Sequence, residues 1–158
     1  MARCGTLRDV TDDLHVAAFD ELDARTAYAL WRVRESVFVV EQECPYQELD
    51  GRDTEPGTRH VWTTDGGEVT GYLRVLADGD VARVGRVLVV RGHRGSGLSG
   101  RLVAAALEVV AERESVLDAQ SPLADWYAGF GYVVDGPEFV EDGIPHVPMR
   151  RPSPGHVG

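Results

Sequence analysis

A chain of 158 residues with 43% hydrophobic and 27% charged side chains is long enough for one domain with a core, and too short for two. Its net charge of −10 argues against nucleic acid and anionic membranes as partners and favours a cationic molecule instead. No apolar run approaches the roughly 20 residues that cross a bilayer. All sixteen basic residues are arginine, which excludes a lysine nucleophile. Two cysteines and the absence of a secretion signal predict a cytoplasmic protein.

The first third of the chain predicts a strand, a helix and an acidic loop. After a polar N-terminus (1–13) that we expect to be flexible, residues 14–19 are apolar enough for a strand. Asp20 is the predicted helix cap, with Asp23 in the place of a capping-box acid. The following apolar residues fall on one helical stripe: Ala27, Leu30, Trp31, Val37 and Phe38. Residues 41–55 carry six acids against one arginine, which predicts a solvated surface loop.

The middle of the chain predicts an antiparallel meander of three strands, at 60–64, 69–76 and 81–90. Short turns of aspartate and glycine, at 65–67 and 78–80, separate these strands.

A helix and a parallel strand are predicted next. Ser96 is the predicted cap of a helix that runs to about Arg113, and a short strand follows at 115–119. The intervening helix makes the return to the sheet a right-handed parallel crossover.

The last third predicts a helix at 123–130 and strands at 132–134 and 144–149, with a loop at 138–143 between the strands. The two prolines and two glycines from residue 150 onward predict a disordered tail, 150–158.

A glycine-rich turn, Arg91-Gly-His-Arg-Gly-Ser-Gly-Leu-Ser-Gly100, lies between the predicted strand 81–90 and the next helix. Backbone N–H groups in such a turn, together with the helix dipole, form a site for phosphate groups. The window 81–101 contains no acid and five arginines, at positions 83, 86, 91, 94 and 101. We therefore expect an anionic ligand at this turn.

Two other interpretations of the turn remain open. The run Gly95-Ser-Gly-Leu-Ser-Gly100, with Asp118 near the next strand, satisfies the dinucleotide fingerprint. Against it, four residues separate the strand from that run, a meander comes first, and only one crossover fits in the chain. The glycines could also serve turn geometry alone. A P-loop is excluded, because no Gly-Lys-Ser/Thr follows the turn.

The frame Arg94-x-x-Gly97-x-Ser99 resembles the pyrophosphate loop of the GNAT superfamily of acyl-CoA N-acetyltransferases, Arg/Gln-x-x-Gly-x-Gly/Ala, with serine in the last place. The order of predicted elements resembles that family over 14–149, which we expect to be one domain. Segments 38–51, 59–60 and 141–146 resemble the ElaA-type branch, whose acceptor is poorly defined. The resemblance implies a mixed α/β fold, with helices flanking a mostly antiparallel sheet that contains one parallel crossover.

The resemblance also implies acetyl-CoA as cofactor. Backbone amides of the loop would hold its pyrophosphate, and the side chain of Arg94 would add charge; the loop residues are Arg94, Gly95, Ser96, Gly97, Leu98 and Ser99. The pantetheine arm would pair with the preceding strand end, Val87, Leu88 and Val89, where that strand splays from the parallel strand. Members of the family often form homodimers.

Tyr127 lies at the position where the family commonly has the tyrosine that protonates the leaving thiolate of CoA. The alternative is that Tyr127 only packs its helix on the sheet, together with Trp126 and Phe130.

The general base has several candidates, namely Glu41, His60, Asp118, Glu141 and His146. Glu41 and His146 are preferred, because their segments flank the expected acceptor side. Cys44 precedes a proline and is expected to be a filler or an exposed thiol. The five histidines lack ligand spacing, so no metal is expected.

We therefore expect an acetyl-CoA-dependent N-acetyltransferase with a direct, sequential mechanism. Its acceptor would be a primary amine of a small molecule or peptide, attracted as a cation by the acidic loop 41–55. The competing hypothesis is a sensor of the same fold that binds acyl-CoA without turnover.

Overall fold

Eight strands form one mixed sheet in the computed structural model, which describes residues 12–155. The strands are β1 (Asp13–Ala17), β2 (Arg59–Asp65), β3 (Glu68–Asp78), β4 (Val81–Val89), β5 (Glu114–Gln120), β6 (Val133–Val134), β7 (Phe139–Glu141) and β8 (Ile144–Arg151). Their order is β1-β2-β3-β4-β5-β8-β6, with β7 also paired to β8. The pairs are antiparallel except for β4 with β5, so the expected fold class is confirmed.

Three α-helices accompany the sheet: α1 (Ala24–Arg34), α2 (Leu98–Val110) and α3 (Ala124–Ala128). Helix α1 continues into a π-helical segment, Glu35–Glu41, which carries the chain toward the acidic loop. Helix α2 connects β4 to the parallel strand β5, as the predicted crossover requires. No helix among the described residues is long and apolar enough to span a membrane.

The core has two halves, because successive residues of a strand point to opposite faces of the sheet. On β3, Tyr72 packs in the half that contains Leu30 of α1, while its neighbour Leu73 packs in the half that contains Leu102 and Val110 of α2. The predicted apolar stripe is confirmed, and it runs from α1 into the π-helical segment: Leu30 and Val37 are buried, and Trp31 and Phe38 pack partly buried against them.

Both predicted helix caps are wrong, Asp20 by three residues and Ser96 by one. Asp20 lies in a separate short 3₁₀ turn, and Asp23 caps α1 by accepting a 2.7 Å hydrogen bond from the Thr26 N–H. Helix α2 begins after Gly97, whose φ of 85° lies in the left-handed region that glycine adopts without a steric cost. Ser96 does not cap α2; its hydroxyl donates to the His93 carbonyl instead.

The strands near the C-terminus begin and end at residues that differ from those predicted. Part of the predicted loop 138–143 is strand β7, which pairs with the beginning of β8. Strand β8 passes the expected end at residue 149, because Arg150 and Arg151 continue the ladder with β5. The tail prediction is therefore wrong for these two arginines. The predicted flexible N-terminus, 1–13, lies outside the described residues up to residue 11, and β1 begins at Asp13.

Candidate functional site

Strands β4 and β5 separate soon after they meet. Their described pairing covers only three residue pairs, from Val81 with Glu114 to Arg83 with Val116. Beyond Arg83, the edge of β4 that faces β5 is open, while β5 continues to pair with β8 on its other side. This is the splayed arrangement that the sequence interpretation required for a bound pantetheine arm.

A β-bulge interrupts β4 three residues after its last pair with β5. Tyr72 opposes Leu88 and Arg74 opposes Gly85, so two residues of β4, Arg86 and Val87, face the single residue between Tyr72 and Arg74 on β3. Bulges bend the strand that carries them. The bulge thus bends β4 beyond Arg83, its last residue paired with β5.

The glycine-rich turn beyond β4 has the shape of an anion cradle. Gly92, Gly95 and Gly97 all have positive φ, between 77° and 96°. The backbone N–H groups of residues 94–97 donate to no acceptor among residues 12–155. A cavity of about 480 Å³ adjoins the turn and is bordered by Gly95, Gly97 and Ser99. These free donors at the start of α2 suit a phosphate group.

The Arg94 side chain is already paired in this structure. Its guanidinium donates to both carboxylate oxygens of Glu41, at 2.6 and 3.0 Å, and its Nε donates to the Val89 carbonyl at 2.8 Å. The hydrogen bond from Arg94 lowers the pKa of the Glu41 carboxyl. A carboxylate held in this way is a poor proton acceptor, so the geometry disfavours Glu41 as the general base.

A second cavity, of about 460 Å³, also adjoins the end of β4. The two cavities share five lining residues: Val87, Leu88, Val89, Leu123 and Tyr127. Tyr127 lies on α3 and is buried, yet its hydroxyl has no hydrogen-bond partner among the described residues. Burial raises the Tyr127 pKa to about 12, so the hydroxyl keeps its proton at neutral pH. A protonated hydroxyl without a hydrogen-bond partner among the described residues therefore lies where the two cavities meet.

His146 lines the second cavity from strand β8. Its Nδ1 lies 2.8 Å from the Ile144 carbonyl, to which it must donate, and its ring stacks on Phe139 at 5.7 Å. In the neutral tautomer this leaves the Nε2 lone pair unprotonated, and Nε2 has no partner among residues 12–155. His146 is thus oriented to accept a proton.

The other base candidates are placed differently. His60 is fully buried; its Nε2 contacts the Asp53 carbonyl at 3.0 Å and its Nδ1 contacts the Tyr72 hydroxyl at 2.6 Å. Burial lowers the His60 pKa, and both ring nitrogens are engaged, so His60 is structural. Asp118 lines the second cavity but pairs with Arg83 at 3.5 Å.

Glu141 borders the second cavity without an ion-pair partner among the described residues. Cys44 borders it too, and its thiol donates to the backbone carbonyls of Gln42 and Asp142 at 3.3 and 3.5 Å. Residues 12–155 bring together no group of three or more side chains suited to a metal ion.

The acidic segment 41–55 is not the solvated loop that its composition predicts. Glu48 and Asp53 are buried and pair with Arg34, which is fully buried at the end of α1. Arg74 pairs with Asp50 and Asp53 at 2.5 and 3.0 Å, and Arg86 pairs with Glu48 at 2.6 Å. Three arginines thus balance three acids, so the segment presents little free negative charge to an acceptor.

Sequence reasoning missed the pairing of these three arginines with acids, and it assigned Arg86 to the basic window 81–101 instead. Arg34 carried a signal, because it follows Leu30 by four residues and precedes Val37 by three, which places it on the buried stripe. An arginine on a buried stripe requires a buried acid, and the nearby segment 41–55 supplies it.

Comparison with known proteins agrees with this geometry. A family model described as an acetyltransferase (GNAT) domain matches residues 24–152. A UPF0039 protein of Mycobacterium tuberculosis is 50% identical over 153 residues, covering 94% of this chain and 98% of that protein. Protein ElaA of Escherichia coli is 38% identical over 148 residues, covering 88% of this chain and 94% of ElaA.

A solved structure of similar fold also supports this family assignment. The crystal structure of an acyl-CoA N-acyltransferase from Pseudomonas aeruginosa is 35% identical and has a TM-score of 0.85, covering 89% of this chain and 99% of that one. The chain belongs to the GNAT acetyltransferase family, a family of acyltransferases, and ElaA is among its relatives.

Proposed function

We propose that this protein transfers an acetyl group from acetyl-CoA directly to a primary amine. The observation that carries the proposal is the position of Tyr127, a buried proton donor on the boundary between two cavities. One cavity adjoins the glycine-rich turn and suits a cofactor. The other is bordered by His146 and suits an acceptor.

The cofactor fits the first cavity by its chemistry. The pyrophosphate would accept hydrogen bonds from the backbone N–H groups of residues 94–99, and the helix dipole of α2 would add attraction. The pantetheine arm would pair with the edge of Val87–Val89 that β5 leaves open, where the Val89 carbonyl also accepts from Arg94 Nε, as an added strand does. This path leads the thioester toward Tyr127.

The reaction needs two proton transfers. The lone pair of the amine attacks the thioester carbon, forming the C–N bond, and the amine proton passes to Nε2 of His146. The C–S bond then breaks and sulfur keeps the electron pair. The Tyr127 hydroxyl protonates this thiolate, or holds it by a hydrogen bond, which lowers the free energy of its departure. Both groups recover their protonation states by exchange with water.

The acceptor is proposed to carry a second positive charge. The acidic composition of segment 41–55 first suggested this charge, but other residues now support it. The acids of segment 41–55 are balanced by arginines. Glu141, the last residue of β7, and Asp142, in the turn that follows it, border the acceptor cavity and form no ion pair with residues 12–155. Their field would attract a diamine or a basic peptide more strongly than a neutral amine.

Two measurements test the proposal. CoA and acetyl-CoA should raise the melting temperature, because they bind the folded state, and NAD, NADP and ATP should raise it far less. A larger shift with NAD would overturn the cofactor assignment. Release of free thiol from acetyl-CoA, followed across polyamines, amino acids and peptides, should be fastest with diamines, and their advantage should shrink with salt. A best substrate of net negative charge would contradict the charge argument.

The competing function is a sensor that binds acyl-CoA without turnover. The orientation of His146 and the free hydroxyl of Tyr127 favour the enzyme. Strong stabilisation by acetyl-CoA without thiol release with any amine in the panel would favour the sensor. Assembly as a homodimer stays a prediction, which sedimentation velocity would check.

A further inference from the structure

Arg86 has an unusual backbone conformation for an arginine. Its φ is 55°, in the left-handed region, at the first of the two bulge residues of β4. Bulges with this conformation at the first position normally carry glycine there, because a side chain crowds the backbone. The residues with positive φ in the neighbouring glycine-rich turn, Gly92, Gly95 and Gly97, are glycines. Glu43 and Asp142, near the second cavity, share positive φ with Arg86, but they lie outside the strands. Something must therefore hold Arg86 in place.

The contacts of its side chain supply that restraint. The Nε of Arg86 lies 2.6 Å from Glu48 Oε1, and its Nη2 donates to the Glu48 carbonyl at 3.0 Å. The guanidinium also lies over the ring of Tyr46, 5.6 Å from the ring centre. Glu48 is buried and is held in turn by Arg34, with two contacts of 3.0 Å. The Arg86 side chain is thus tied to helix α1.

The bulge has a direct effect on the site. Its second residue, Val87, is the first residue of Val87–Val89, the segment that lines both cavities. Without the extra residue, the register beyond Arg86 would change by one, and each following side chain would turn to the opposite face of the sheet. The backbone groups on the open edge of β4 would then no longer face the cavities. Strained residues of this kind persist only where surrounding contacts fix them, and they are concentrated at functional sites.

We propose that Arg86 is a positioning residue: its ion pair with Glu48 holds the bulge that presents Val87–Val89 to the acyl thioester. Its role is to fix the backbone and not to contact the substrate. The expected effect on kcat rests on the proposed acetyl transfer. The claim that the Arg86 side chain stabilises the bulge does not.

Two substitutions at position 86 separate a backbone role from a side-chain role. Arg86→Ala and Arg86→Gly remove the same charge and the same contacts, but only glycine adopts the required φ without strain. Arg86→Ala should lower kcat by about 10²-fold, the usual cost of a misplacement of about 1 Å. Arg86→Gly should retain most of the wild-type kcat. Affinity for free CoA, measured by calorimetry, should change much less than kcat, because the pyrophosphate loop is untouched.

Arg83 gives the matched control. It lies three residues earlier on the same strand, borders the same cavity and also forms ion pairs, with Asp78 and Asp118, but its φ is not positive. The kcat of Arg83→Gly should be no higher than that of Arg83→Ala. The urea midpoint of Arg83→Gly should be lower, because glycine weakens a strand. At position 86 the order should be reversed, with a higher urea midpoint for Arg86→Gly than for Arg86→Ala.

Equal losses of kcat in Arg86→Ala and Arg86→Gly, with an active wild type, would show a direct side-chain role and overturn the inference. If the wild type releases no thiol with any amine, the proposed function fails first. The urea midpoints then decide the structural part: a lower midpoint for Arg86→Gly than for Arg86→Ala would refute it.

Discussion

The Arg94 guanidinium holds both carboxylate oxygens of Glu41, at 2.6 and 3.0 Å, and thereby ties the glycine-rich turn to the end of the π-helical segment. The pair changes the roles that the sequence assigned to both residues. Arg94 brings little uncompensated charge to the turn, so recognition of a pyrophosphate depends mainly on backbone N–H groups. Glu41 stabilises the turn and is no longer suited to accept a proton from an amine.

Glu41→Gln tests this reassignment. The substitution removes a negative charge beside the turn and frees Arg94, so CoA should bind several-fold more tightly at low salt. The rate at saturating substrate should fall far less than in a variant that lacks the base. Calorimetry with CoA and steady-state kinetics measure the two quantities. A loss of about 10²-fold or more in kcat, with unchanged CoA affinity, would restore Glu41 as the base.

Gly97→Val tests the turn itself. The φ of 85° at Gly97 is strained for valine, and the side chain would stand where a phosphate must approach the backbone. Stabilisation by CoA in thermal unfolding should disappear. Gly79→Val is the control, because Gly79 also has positive φ and open space around it, but lies in the β3–β4 hairpin. It should lose comparable stability and keep the response to CoA; the same response in both variants would mean that the turn is not the binding site.

Tyr127→Phe removes the proposed proton donor and keeps the ring. We expect kcat to fall by about 10²–10⁴-fold, with little change in CoA affinity or melting temperature. Tyr132→Phe is the matched control, because its ring lies 6.2 Å from that of Tyr127 while its hydroxyl contacts Ser115 at 2.8 Å. The control should lose about 1 kcal/mol of stability and keep its turnover. Near-normal turnover in Tyr127→Phe would assign that tyrosine to the core alone.

The glycine-rich turn, the meander and the crossover helix were predictable because each depends on local pattern: glycines at bends, alternation in strands and a helical stripe. The acidic segment was misread because composition does not reveal pairing partners distant in sequence. Asp53 meets Arg34 and Arg74, which lie 19 and 21 residues away, and only the fold brings them together. The bulge at Arg86 could not be predicted either. A glycine at that position would have indicated a bulge, but the residue there is arginine.

His146→Gln tests the proposed base. Glutamine can keep a hydrogen bond and much of the volume, but it cannot accept the amine proton, so kcat/KM should fall by about 10²-fold or more. His15→Gln is the control. That ring also stacks on an aromatic side chain, Trp62, at 5.1 Å, and contacts the Thr64 hydroxyl at 2.9 Å, but it lies on the edge strand β1. Equal effects of the two substitutions would show that His146 acts only through packing.

The ion pair between Arg74 and the partly exposed side chain of Asp50 predicts how stability responds to acid. The hydrogen bond from Arg74 holds the pKa of the Asp50 carboxyl well below its usual range. A carboxyl whose pKa is lowered by folding stabilises the protein above its unfolded pKa of about 3.9, and that contribution is lost as the pH falls further. Asp50→Asn should therefore lower the urea midpoint at pH 7. The difference from wild type should shrink below about pH 4, where the wild-type carboxyl begins to lose this advantage. A difference that stays constant down to pH 2 would show that shape, and not charge, gives Asp50 its effect.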